Sequence, residues 1–80
     1  GYDTSLERED VYIGIVSKVK AHKTKKGKPM AFVDAITKHG VENLIIFGDS
    51  FKELERGSVY LFKVQEGIIR DFITAKKRAA

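Results

Sequence analysis

The sequence lacks cysteine and tryptophan, and it has one proline and one methionine among 80 residues. The absence of cysteine excludes a disulfide-bonded scaffold and a zinc site built on thiolates, and it fits a reducing cytoplasm. No apolar run approaches the roughly 20 residues that a membrane-spanning helix requires. We therefore expect a small domain that folds around its apolar core alone and has no membrane partner.

Motifs that signal catalysis are also missing. The chain contains neither a glycine-rich phosphate-binding loop followed by lysine and a hydroxyl residue nor a nucleophile elbow. His22 and His39 fall on predicted turns without an acidic residue at an informative spacing. The carboxylates form no recognisable catalytic pair or metal-binding cluster. We therefore predict a domain that is not an enzyme and uses no cofactor and no metal.

The charge is distributed unevenly along the chain. Residues 1–10 carry four acidic residues and one arginine, whereas the other 70 residues carry 14 basic and 7 acidic residues. Six lysines lie within residues 18–28, and a second basic block occupies residues 76–78. Such clustering is typical of proteins that bind a polyanion. We predict a flexible acidic segment at 1–10, one folded domain at 11–75 and a basic tail at 76–80.

Five segments have the composition and alternation of β-strands. They are residues 11–20, 30–37, 41–47, 59–64 and 68–75. Gly14 interrupts the first segment, where a strand can bend or form a bulge. Between the third and fourth segments, Asp49 or Ser50 can cap a short helix and Gly57 can end it.

Three strands, a short helix and two further strands follow the element order of the OB-fold, a five-stranded Greek-key barrel. The SH3-like barrel is the main alternative, but it normally lacks a helix between its third and fourth strands. We therefore predict an all-β domain, a five-stranded OB-fold Greek-key barrel with one short helix between strands 3 and 4.

In this fold the ligand lies on the second and third strands, beside the loops that flank them. The lysines of residues 18–28 would contact phosphates, and Phe32 would stack on a base. The pattern does not distinguish core from ligand face for Phe47. The candidate nucleic-acid-binding residues are Lys18, Lys20, His22, Lys23, Lys25, Lys26, Lys28, Met30, Phe32, Asp34, Asn43, Ile45, Phe47 and Arg70.

Two segments resemble a known family. The stretches IVSKVKAHKTKKGKPMAFV (15–33) and ENLIIFGDSFKEL (42–54) are similar to the OB domain of bacterial and phage replicative DNA polymerases of the polymerase III alpha-subunit type. The resemblance covers roughly residues 11–64. It implies a module that binds single-stranded DNA within a longer polymerase chain whose active site lies elsewhere. We expect a monomeric isolated domain, located in the cytoplasm near the nucleoid or, for a phage protein, in the host cytoplasm.

Two other functions remain open at this point. The domain could bind RNA, as anticodon-reading OB modules do, or it could bind a protein through exposed Met30, Ile36 and Ile45. The density of lysines disfavours the second, because protein interfaces are depleted of lysine. A further hypothesis is that the acidic residues 1–10 fold back over the basic face and compete with the ligand.

Overall fold

Five β-strands form the structure, a computed structural model that describes residues 1–77. The strands are β1 (Val11–Lys23), β2 (Pro29–Thr37), β3 (Gly40–Phe47), β4 (Val59–Gln65) and β5 (Ile68–Thr74). They close into a barrel in the order β1-β2-β3-β5-β4, and β4 pairs with β1. The closed all-β barrel confirms the predicted fold class and is consistent with an OB-like fold. Residues 78–80 of the predicted basic tail lie outside the described residues.

The 13-residue strand β1 belongs to both halves of the barrel. Its first part pairs with β4, and from Gly14 onward it pairs with β2. A Cβ atom added at Gly14 would lie 3.2 Å from Ala35 Cβ and 3.3 Å from a ring carbon of Phe62. Glycine therefore lets β1 lie close to Ala35 and Phe62 at the point where it pairs with both β2 and β4.

The irregularity expected at Gly14 lies elsewhere in β1. The register with β2 shifts between Val16 and Lys18, so Ser17 is the extra residue of a bulge. The Ser17 hydroxyl donates a hydrogen bond to the carbonyl oxygen of Asp34 at 3.2 Å, which ties the bulge to β2. The shift reverses the alternation, and Val19 thereby packs against the core although it is an odd-numbered residue like exposed Ile15.

The barrel closes where β3 meets β5. These two strands are parallel and pair at Ile45 and Ile68, and the Ile45 N–H donates to the Gly67 carbonyl at 2.9 Å. The turn before β5 has Glu66 and Gly67 at positive φ, 56° and 76°. This tight turn brings the β4–β5 hairpin against the middle of β3.

The core fills the barrel from every strand. Ala31, Val33 and Ala35 are fully buried, as the alternation on β2 predicts. Phe62 is also fully buried, and its ring packs near that of Phe72, with the centroids 6.4 Å apart. Burial of apolar surface is the main driving force for a domain of this size. The other buried members of the cluster are Val16, Leu44, Ile46, Leu54, Tyr60 and Ile69.

The predicted helix between strands 3 and 4 is only a 3₁₀ turn, Ser50–Glu53. Asp49 makes no capping hydrogen bond with its side chain, and Leu54 already has an extended backbone, with φ −83° and ψ 123°. The Tyr60 hydroxyl accepts the Glu55 N–H at 2.7 Å and donates to the Glu53 carbonyl at 3.3 Å. These bonds replace those of a continuing helix. Among the described residues, no helix has the length and apolarity to cross a membrane.

Candidate nucleic-acid interface

The hairpin that joins β1 to β2 carries exposed lysines. Thr24 organises it, because its hydroxyl accepts the Lys28 N–H at 3.2 Å and its backbone N–H donates to the Lys28 carbonyl at 2.8 Å. Gly27 has φ 78°, a conformation that favours glycine, so the turn reverses within a few residues. The exposed lysines of this hairpin, called the lysine hairpin below, are Lys23, Lys25, Lys26 and Lys28.

The lysine hairpin is rich in unneutralised charge. Within residues 1–77, none of its four ammonium groups forms an ion pair, whereas Lys38 at the other end of β2 pairs with Glu7. Exposed cations on a short turn repel each other and attract a polyanion. The hairpin therefore concentrates positive potential at one end of β1 and β2.

Strand pairing extends this charge onto the outer surface of the barrel. Lys20 lies opposite Phe32, which lies opposite Ile45, and the neighbouring row contains Lys18, Asp34 and Asn43. The side chains of such a row lie on one face of the sheet. We define the basic face as Lys18, Lys20, His22, Phe32, Asp34, Asn43, Ile45 and Phe47.

Two aromatic side chains lie open on the basic face. Phe32 is 43% exposed, which confirms that its ring faces outward. Phe47 is 52% exposed, so it lies on the basic face and not in the core. The His22 ring packs edge-on against Phe32, with the ring centroids 5.2 Å apart and the planes at 79°. This contact holds Phe32 while much of its ring stays accessible to a stacking partner.

Asp34 and Asn43 form the polar part of the basic face. The Asn43 side-chain amide donates a hydrogen bond to Asp34 Oδ1 at 2.8 Å. The bond fixes the amide orientation and leaves acceptor and donor groups available at the surface. The carboxylate of Asp34 places a negative charge among the lysines, so it opposes phosphate binding close to it.

Two predicted site residues lie outside the basic face. Met30 is only 9% exposed, because its neighbours in the register are the large side chains of His22 and Phe47. The expectation of an exposed Met30 is therefore wrong. Arg70 is exposed on β5 and lines a depression with Phe47, but Asp71 and Glu53 line it too. The depression beside Arg70 thus combines basic, acidic and aromatic side chains.

The acidic N-terminal segment lies away from the basic face. The Asp3 N–H donates to the Lys76 carbonyl at 2.8 Å, and the Val64 N–H donates to the Asp10 carbonyl at 2.7 Å. Glu7 Oε1 accepts the Ile13 N–H at 3.0 Å, and Glu7 Oε2 lies 3.2 Å from Lys38 Nζ. The hypothesis that residues 1–10 cover the basic face is therefore wrong.

Glu7 shows the electrostatic effect of these contacts. The hydrogen bond from the Ile13 N–H, with a smaller contribution from Lys38, lowers the pKa of the Glu7 carboxyl despite partial desolvation. The sequence does not predict this tether between Glu7 and Lys38, because the two residues lie 31 positions apart and no local pattern pairs them.

The two histidines lie near opposite ends of β2. Within residues 1–77, no group of three or more His, Cys, Asp or Glu side chains is placed to hold a metal ion. His22 contacts Phe32, and His39 is exposed in the β2–β3 turn, where its backbone N–H donates to Thr37 Oγ1 at 3.1 Å. The basic face thus exposes cations, aromatic rings and one amide.

Comparison with known proteins gives no family assignment. No protein-family model, no curated protein and no solved structure matches the chain. The polymerase resemblance therefore depends only on the segments at 15–33 and 42–54.

Proposed function

We propose that this domain binds single-stranded DNA as a non-catalytic module with little sequence preference. The observation that carries the proposal is the position of exposed Phe32 directly opposite Lys20 and beside the lysine hairpin. A single strand offers bases and phosphates at short intervals, so a ligand can occupy cationic and aromatic groups together.

The two kinds of group make different contributions to binding. Lysine contacts with phosphates release counterions, and for single strands the slope of log K against log salt changes by about 0.7 for each phosphate neutralised. Stacking on an aromatic ring contributes roughly 1–3 kcal/mol per base and accepts every base. We therefore expect weak, strongly salt-dependent binding with a stacking component that salt does not remove.

The wider setting of the domain is part of the proposal. The segment at 15–33, which resembles the OB domain of replicative polymerases, supports a place within a longer cytoplasmic polymerase chain. In that setting the basic face holds template strand near an active site located in another part of the polypeptide.

A fluorescence-anisotropy titration of labelled oligothymidine at two salt concentrations tests the proposal. The test variant replaces Lys23, Lys25, Lys26 and Lys28 with alanine. The control replaces four basic residues away from the hairpin, namely Arg56, Lys63, Lys76 and Lys77, and so removes the same charge. We expect the hairpin variant to lose most of the affinity and to reduce the salt slope by up to about 3, whereas the control changes both far less.

Three outcomes would contradict the proposal. Wild-type protein that does not bind at low salt has no nucleic-acid function of this kind. Equal losses in the two variants would show that net charge alone attracts the ligand. Preference for an RNA loop over DNA of the same sequence in direct competition would assign the surface to RNA.

A further inference from the structure

A concave surface adjoins the lysine hairpin beside the 3₁₀ turn. It is a groove of about 310 Å³, smaller than the apolar pocket of about 450 Å³ at the opposite end of the barrel. Its lining comes from the end of β1, the start of β2 and the 3₁₀ turn. The lining residues are Ala21, His22, Lys23, Pro29, Phe51 and Lys52.

The lining combines an apolar floor with cationic walls. Ala21, Pro29 and the half-buried ring of Phe51 provide the floor, while Lys23 and Lys52 are exposed at its margins. Among residues 1–77, no carboxylate lines this groove, in contrast to the depression beside Arg70, which Glu53 and Asp71 line. An apolar floor between two ammonium groups is complementary to a nucleobase with flanking phosphates.

His22 connects the groove to the basic face. Its ring packs against Phe32 on the face, and the same residue lines the groove. Lys23, which follows it, belongs to both the lysine hairpin and the groove. A strand that stacks on Phe32 can therefore continue past His22 without leaving positively charged surface.

We infer that this groove is a second nucleotide subsite, which takes one base against Phe51 and the adjoining phosphates on Lys23 and Lys52. The inference rests on the proposed function, because the groove extends the path of the strand bound to the basic face. It makes Phe51 and Lys52, which the sequence did not single out, part of the binding surface. It also predicts that a strand long enough to pass His22 binds more tightly than a shorter one.

A charge reversal tested with two ligand lengths separates the subsite from the basic face. The variant is Lys52→Glu, and the matched control is Lys63→Glu on β4, an exposed lysine that makes the same change in net charge. The probes are labelled oligothymidines of about 4 and about 12 nucleotides, which span the range of OB-fold site sizes. Phe51 is left unchanged because it packs on the core, and its backbone amide serves as a chemical-shift reporter.

We expect Lys52→Glu to weaken binding of the longer oligothymidine roughly fivefold and to reduce its salt slope by about 0.7 or more. Binding of the shorter one should match that of the Lys63→Glu control. The Phe51 and Lys52 amide resonances should move only with the longer ligand.

The possible failures are distinguishable. If wild-type protein binds both lengths and Lys52→Glu behaves as Lys63→Glu with each, the second subsite does not exist, although the basic face still binds. If Lys52→Glu weakens both lengths equally, the groove is not a separate subsite. If wild-type protein binds neither length at low salt, the proposed function itself is wrong.

Discussion

The two ends of β1 and β2 present opposite surfaces although the same strands build them. At the hairpin end the outward side chains are lysines, His22 and Phe32, and none of the hairpin lysines is paired within residues 1–77. At the other end the outward side chains are aliphatic, and Ile15 and Ile36 are 41% and 46% exposed. There Glu7 and Lys38 form an ion pair beside the N-terminal segment.

The difference shows that the core places few restrictions on the outward residues. Along β2, the inward side chains of Ala31, Val33 and Ala35 are fully buried at both ends of the strand. Register carries an aliphatic row across four strands at the far end, through Val59, Ile15, Ile36 and Val41. The same barrel thus has a basic, aromatic surface at one end and an aliphatic surface at the other, because the outward residues differ.

The largest difference in DNA affinity is expected between alanine variants at Phe32 and at Ile36, two side chains that are similarly exposed on β2. Phe32→Ala should weaken binding of oligothymidine by roughly 1–3 kcal/mol, because a stacked base loses its partner. Ile36→Ala should leave binding unchanged. Anisotropy titrations at one salt concentration measure both, and urea unfolding checks that the two variants remain folded.

The binding affinities of the Phe32→Ala and Ile36→Ala variants show which end of β2 contacts the DNA. Equal losses for the two variants would mean that the ligand covers the whole outer surface of β2. A loss for Ile36→Ala alone would place the oligothymidine site at the apolar end.

A smaller effect is expected from Asp34, the carboxylate on the basic face. Asp34→Asn keeps an oxygen that can accept the Asn43 amide, and it removes the negative charge. Affinity for oligothymidine should rise roughly twofold at low salt, since a charge several ångströms from a phosphate interacts weakly in water. Titrations at low and high salt check this, and a decrease in affinity would show that the carboxylate itself binds the ligand.

The smallest effect concerns stability at the apolar end. Because folding lowers the pKa of Glu7, its ionised form stabilises the fold above about pH 4.5, and this contribution disappears as the pH falls through the lowered pKa. Glu7→Gln should therefore be less stable than wild type at neutral pH, and the difference should shrink in acid. Urea unfolding at several pH values measures it.

Glu9→Gln provides the matched control for this experiment, since Glu9 is an exposed carboxylate two residues away. Its unfolding free energy should follow that of wild type at every pH. A pH-independent deficit in Glu7→Gln would contradict the role assigned to the ionised carboxylate. DNA binding should be unchanged in both variants, because the tether lies far along β1 and β2 from the lysine hairpin.

Much of the fold could be predicted because its signals are local. Alternation along β2 is a local pattern that matches the burial of its two alanines and Val33, and Gly27 with Pro29 is a local turn signal at the hairpin after β1. The 3₁₀ turn was overestimated as a helix, because the hydrogen bonds of the Tyr60 hydroxyl that end it come from another strand. The bulge at Ser17 similarly depends on pairing that the sequence of β1 does not reveal.

The candidate site was only partly accessible from the sequence. The lysines and Phe32 stand together in the chain, so their proximity was predictable. The burial of Met30 depends on side chains from two neighbouring strands, and the position of Arg70 depends on a register shift between Lys63 and Val64. The Glu7 tether and the groove at Lys52 likewise arise only from packing between distant segments.

We propose that nucleic acid binds the hairpin end of the barrel and not the apolar end. Amide chemical shifts of the isotope-labelled domain, recorded while an oligothymidine of about 4 nucleotides is added, test it most directly. We expect salt-sensitive shifts concentrated in residues 18–34 and 43–47, with the resonances of Ile13, Ile15 and Val59 unmoved. Shifts concentrated around Ile15, Val59 and the N-terminal segment, with the lysine hairpin unmoved, would contradict it.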